Sequence, residues 1–81
     1  MDYRFSSHAL EMLKERSIKE AWVLETLENP HWHNEGADGN LHYFRSIAGN
    51  ADRVLHVVLN QQVSPKRVVT VFFDRKARRR I

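Results

Sequence analysis

The chain of 81 residues contains no cysteine, which excludes a disulfide framework and a thiolate zinc site. That composition suits a reducing compartment, and a cytoplasmic location is expected. No apolar run exceeds four residues, so no segment reads as a signal core or a membrane span. None of the three glycines forms a phosphate-binding loop, and no Ser-His-Asp or paired-carboxylate pattern is visible. At this length a single domain is expected, near the lower limit for folding on burial alone. A homodimer or a bound partner would add stability. A hydrophobic content of 42% with eight aromatic residues is enough for one folded core spanning residues 1–81.

Charge is abundant and unevenly placed. Residues 66–81 hold seven of the 13 Lys and Arg residues and one acid, Asp74, for a charge of +6. Residues 1–65 carry −3. The chain is dipolar, with one polyanion-seeking end. Lys66, Arg67, Arg75, Lys76, Arg78, Arg79 and Arg80 are the candidate nucleic-acid-binding residues, with residues 75–81 as a basic tail. A short arginine run can also be no more than a solvated terminus.

Periodicity places the elements. Tyr3-Arg4-Phe5 alternates as a short strand. Ser6 or Ser7 offers an N-cap for a first helix marked by Ala9, Met12, Leu13 and Arg16. Ser17-Ile-Lys-Glu20 reads as a capping box for a second helix, which Asn29-Pro30 ends. Period two follows. His31-Trp32-His33 reads as an edge strand, Leu41 to Ala48 and Arg53 to Leu59 as strands, and Arg67 to Phe73 as the last and most β-prone. Short links between consecutive strands favour an antiparallel meander. The expected fold is α+β: a helical hairpin on one face of an antiparallel three- to four-stranded sheet, ordered β-α-α-β-β-β.

Strand parity separates two faces. His42, Phe44 and Ser46 share one, and Leu55, Val57 and Leu59 should meet the helices, so His56 faces away from them. If Val69, Val71 and Phe73 are the core set, Thr70 faces away as well. Histidine, threonine and nearby arginine on an open sheet face could cleave RNA, with imidazole moving the proton and guanidinium stabilising the charged phosphorane. Each histidine by itself also fits an ordinary half-exposed strand residue. His8 begins the first helix and Arg16 ends it, roughly two turns apart, so they need not meet one ligand. His31-x-His33-x-Glu35 would align three metal ligands if the segment were a strand, whereas a core-anchored Trp32 makes it a plain edge.

The order of motifs resembles a family. Phe5-Ser-Ser-His8-Ala9, Glu15-Arg16-Ser-Ile18 and Leu27-Glu-Asn-Pro30 resemble the opening of short domain-of-unknown-function proteins related to RelE toxins. Tyr43-Phe44-Arg45, Val54-Leu55-His56-Val57-Val58 and Val68-Val69-Thr70-Val71-Phe72 are similar to their sheet. The resemblance implies a RelE/ParE-like fold of the barnase–EndoU–colicin–RelE group. It also implies a metal-independent endoribonuclease without a cofactor, acting as the toxin of a toxin–antitoxin pair. Its partners would be RNA and a cognate antitoxin with an acidic or amphipathic segment. On matching motifs the catalytic positions are His8, Arg16, Arg45, His56 and Thr70. The chain departs from RelE in lacking lysines on the central strands and a C-terminal catalytic tyrosine. A non-catalytic RNA-, DNA- or protein-binding module of the same fold is the alternative.

Overall fold

The computed structural model describes residues 3–48, 51 and 53–77. Arg78, Arg79 and Arg80 of the basic tail, and most of the 49–52 turn, lie outside the described residues. The elements in chain order are β1 (Tyr3–Phe5), α1 (Ser7–Glu15), α2 (Glu20–Glu28), β2 (Trp32–Glu35), β3 (Leu41–Ile47), β4 (Arg53–Asn60) and β5 (Lys66–Phe73). The α+β class and the helical hairpin are as the periodicity predicts. The sheet differs, because it has five strands in the order β1-β5-β4-β3-β2. From β2 to β5 it is the expected antiparallel meander. β1 adds itself to the far edge of β5 in parallel, pairing Tyr3, Arg4 and Phe5 with Lys66, Arg67 and Val68. The sheet is therefore mixed, and first and last strands are neighbours.

Ser6 performs three tasks at this junction. Its N–H donates to the Val68 carbonyl at 3.0 Å, continuing the β1–β5 pairing. Its Oγ accepts from the Ala9 N–H at 3.0 Å, the N-cap that starts α1. The same hydroxyl donates to the Val69 carbonyl at 2.7 Å. Val69 is the residue that breaks the β4–β5 register: Val58 pairs with Thr70, but Leu59 pairs with Val68. A bulge leaves one residue unpaired and shifts the parity of what precedes it. Val68 consequently joins the core fully buried, and Val69 is only half-buried, reversing the parity expected of that pair.

The corner between the helices also differs from the sequence reading. Ser17 does not cap α2. It has φ +54°, and the Ile18 N–H reaches back to the Leu13 carbonyl at 2.9 Å. This is a Schellman-type stop for α1, with serine in the left-handed position that glycine usually fills. α2 begins later, behind Lys19, with no side-chain cap. The buried Ile18 covers the corner.

Both helices lie on one sheet face. Ala9, Ile18, Val23 and Leu27 meet Ile47, Leu55, Val57, Leu59, Val68 and Val71 in a single core. Tyr3, Phe5, Trp22, Tyr43 and Phe73 close its margins.

Replacing Ser6 by alanine should lower unfolding free energy by about 1–2 kcal/mol, since a cap and a strut on the bulge are lost together. Ser17→Gly should raise it by about 0.5 kcal/mol by relieving the left-handed strain. Urea denaturation of both variants checks the pair, and a stabilised S6A or a destabilised S17G would contradict these roles.

Candidate active site

The sheet face away from the helices carries a row of rings. In register order it runs Trp32, Phe44, His56, Phe72 across β2, β3, β4 and β5. Trp32 stacks on Phe44 with centroids 5.0 Å apart, so it anchors this face and not the helix-side core. His56 sits between Phe44 at 4.2 Å and Phe72 at 4.7 Å. Parity alone brings it there, because the aliphatic Leu55 and Val57 on either side turn inward.

His42 stands one register step away on β3, opposite Val58. Its Nδ1 lies 2.7 Å from His56 Nε2. The outer nitrogens meet carboxylates: His42 Nε2 is 3.2 Å from Asp38 Oδ1, and His56 Nδ1 is 3.0 Å from Asp74 Oδ2. The result is a continuous line, Asp38–His42–His56–Asp74. Its two ends differ. Asp74 is pinned just beyond β5 by the N–H groups of Lys76 and Ala77 on Oδ1. Asp38 belongs to the 36–40 turn, and its side chain is 49% exposed against 20% for Asp74.

Counting hydrogens defines the chemistry. Both aspartates ionised, the three links need three N–H hydrogens, and two neutral imidazoles supply two. One added proton completes the line. A second would set two N–H groups against each other across the 2.7 Å link. The geometry of the line therefore accommodates a single mobile proton. Burial pushes His56 below the ordinary histidine value; the Asp74 hydrogen bond opposes this, and a charge on His42 adds to it. For Asp74, burial works upward, but the His56 hydrogen bond and the two backbone N–H groups outweigh it and hold the carboxyl below its usual range. The Asn40 N–H and His42 hold Asp38 low as well.

Gly36 makes room for the exposed end. A Cβ there would come within 2.5 Å of His42 Nε2 and 2.7 Å of Asp38 Oδ1, so either the ring or the carboxylate would have to move.

The other candidate residues divide. Thr70 lies on the same face as the imidazoles, in register with Val58, which is in turn opposite His42. Arg67 is exposed beside Arg4 and Asn60. Lys66, Arg75 and Lys76 are exposed at the two ends of β5. His8 is exposed in the first turn of α1, on the helix side of the sheet. Arg45 is on the helix side too: it ion-pairs with Glu25 at 3.0 Å and donates to the Asn29 carbonyl at 2.6 Å, fastening α2 to β3. Arg16, at the C-cap of α1, lines a cleft with Arg53 and Arg75. His31 precedes β2, where its Nδ1 accepts from the Ser46 N–H at 3.1 Å. His33 lies against Tyr43, so His31, His33 and Glu35 do not converge. Among the described residues no group of three or more His, Asp or Glu side chains could hold a metal ion.

A family model described as "Domain of unknown function (DUF4258)" matches residues 5–73. The chain belongs to this family. No curated protein and no solved structure matches the chain. In this DUF4258 member the matched span runs from Phe5 to Phe73, so it contains Asp38, His42 and His56, while Asp74 falls just beyond it.

Sequence reasoning passed over His42, Asp38 and Asp74 as site residues. Shared parity of His42 and His56 on adjacent strands was a usable signal. The β3–β4 register, which sets the diagonal, was not visible in composition or periodicity.

The signs of the two shifts agree. A histidine held low in the folded chain stops stabilising as pH falls from the unfolded value, near 6.5, toward its folded one. A carboxylate held low behaves likewise as pH falls below about 4. Urea midpoints should therefore decline from pH 7.5 to 5, and His56→Phe, which keeps the stack, should flatten that decline. An equally steep decline in the variant would remove His56 as its source.

Proposed function

We propose that this chain is a metal-independent endoribonuclease of RelE-like fold, the toxin of a toxin–antitoxin pair, with His42 as its working imidazole. The observation that supports this reading best is the Asp38–His42–His56–Asp74 line: a pair of rings holding one mobile proton, with a fixed inner end and a solvent-side outer end. Displacing the Asp38 carboxylate frees His42 Nε2 for substrate. In the proposed step this nitrogen takes the 2′-hydroxyl proton as the oxygen attacks phosphorus. The P–O5′ bond breaks, and the proton passes from the imidazole pair to the departing 5′-oxygen. The products are a 2′,3′-cyclic phosphate and a 5′-hydroxyl. His56 and Asp74 hold the ring and share the charge. Arg4 and Arg67 supply positive charge on the same face, and Thr70 can hydrogen-bond the phosphate. His42 thus replaces His8 in the proposed chemistry, and Arg45 is assigned to scaffolding. The +6 segment supplies affinity for RNA or for an acidic antitoxin segment.

One observation favours a second reading. All four imidazole nitrogens are engaged in the resting chain, which suits a non-catalytic RNA-binding module of the same fold.

Purified protein incubated with mixed-sequence RNA in EDTA distinguishes them. Cleavage should leave 2′,3′-cyclic phosphate ends and spare the same sequence as DNA. His42→Ala should slow it about 10²–10⁴-fold. Gly36→Ala should slow it less. Arg45→Ala should lower thermal stability and leave the cleavage rate of the folded fraction unchanged. Undiminished cutting by His42→Ala would sink the assignment, and salt-sensitive binding with no cutting by the wild type would establish the binding module.

A further inference from the structure

A second feature lies apart from the imidazole line. Between the end of α1 and the outer half of β5 is a cleft of about 540 Å³, lined by Met12, Arg16, Arg53, Phe72, Phe73 and Arg75. β1 covers β5 only over Lys66–Val68, so among the described residues this half of the strand has no strand neighbour on its outer side. Among the described residues, none of the three arginines makes an ion pair. Arg45, by contrast, is paired. Three arginines, at the end of α1, the start of β4 and just beyond β5, therefore line one cavity with no ion-pair partner among the described residues. Their mutual repulsion favours an anion between them.

The lining narrows the class of anion. Phe73 lies on the helix side of the sheet, where the Arg53 guanidinium sits over its ring with its carbon 4.6 Å from the ring centre, and Phe72 lines the cleft from the strand edge. A planar ring on the ligand would stack there. The volume suits one nucleotide-sized group, within the roughly 300–1,000 Å³ usual for such sites. Charge selects further. A phosphodiester brings about one negative charge to three arginines, whereas a phosphomonoester brings roughly −1.5 to −2.

We propose that this cleft binds a nucleoside 5′-phosphomonoester, either as a free nucleotide or as the 5′ end of a nucleic-acid strand. Arg16, Arg53 and Arg75 hold the phosphate by charge-assisted hydrogen bonds, and Phe73 carries the base. Phe72 also stacks on His56 at 4.7 Å, so a strand whose 5′ end sits in the cleft would run toward the ring row. The binding does not depend on cleavage.

Isothermal titration of the full chain with adenosine, AMP, and DNA oligonucleotides bearing a 5′-phosphate or a 5′-hydroxyl tests this. DNA lacks the 2′-hydroxyl that the proposed cleavage needs. AMP should bind roughly tenfold or more tightly than adenosine, as expected for loss of charge-assisted bonds. If the 5′-phosphorylated oligonucleotide shows the same advantage over its 5′-hydroxyl twin, strand ends are ligands; if only AMP does, the ligand is a free nucleotide. Arg53→Gln and Arg16→Gln should each abolish the preference, whereas His42→Ala should preserve it. The three arginines are exposed, so both substitutions should leave the fold intact, which circular dichroism verifies. Equal affinity for AMP and adenosine, or a preference surviving both arginine substitutions, overturns the proposal.

Discussion

The registers of β3 on β4 and of β4 on β5 are the constraint on which the rest depends. They place Phe44, His56 and Phe72 in one row and set His42 a diagonal step away. A slip of one residue in β4 would drive His56 into the helix-side core and turn Val57 outward. That cost fixes the register: Leu55, Val57 and Leu59 are almost wholly buried against the helices. The hydrophobic effect on one face thus positions an ionisable pair on the other. The bulge at Val69 extends the same logic. It lets Val68 and Val71 both serve the core although they stand three positions apart, while Thr70 and Phe72 stay on the imidazole side. Ser6 fastens that bulge to the start of α1.

A polar line among aromatic rings is stable only when its members are satisfied. Here each imidazole nitrogen has a partner, and among the described residues no buried side-chain N or O atom lacks one. The line is also asymmetric. Asp74 is bound by two backbone N–H groups beside a strand, whereas Asp38 hangs on a short turn and is half exposed. A group that must be displaced by a ligand belongs at the looser end, which is why the outer nitrogen of His42 is the reactive one in the proposed chemistry.

The imidazole row and the arginine cleft adjoin through Phe72, yet they draw on different physics. The first rests on proton sharing between half-buried rings. The second rests on three arginines with no ion-pair partner among the described residues, beside the outer half of β5. Arg45 shows the contrast within the molecule: once paired with Glu25 and the Asn29 carbonyl, a guanidinium serves the scaffold.

Local signals decided the helices, the β2-to-β5 meander and the inward set on β4, because amphipathic period and turn residues act over a few positions. Ser6 was legible as a cap, and the outward direction of His56 and Thr70 followed from parity. Tertiary structure decided what depends on distant partners. β1 is too short to declare its neighbour, and only its pairing with β5, more than sixty residues away, makes the sheet mixed and five-stranded. Ser17 matched a capping-box spacing, but the stop of α1 required it in the left-handed position. Asp38, His42, His56 and Asp74 come from a turn, two strands and a strand end, and no spacing along the chain announces their contact. Composition and period determined the elements and their faces; the registers, which arise from burial summed across the sheet, determined which side chains meet.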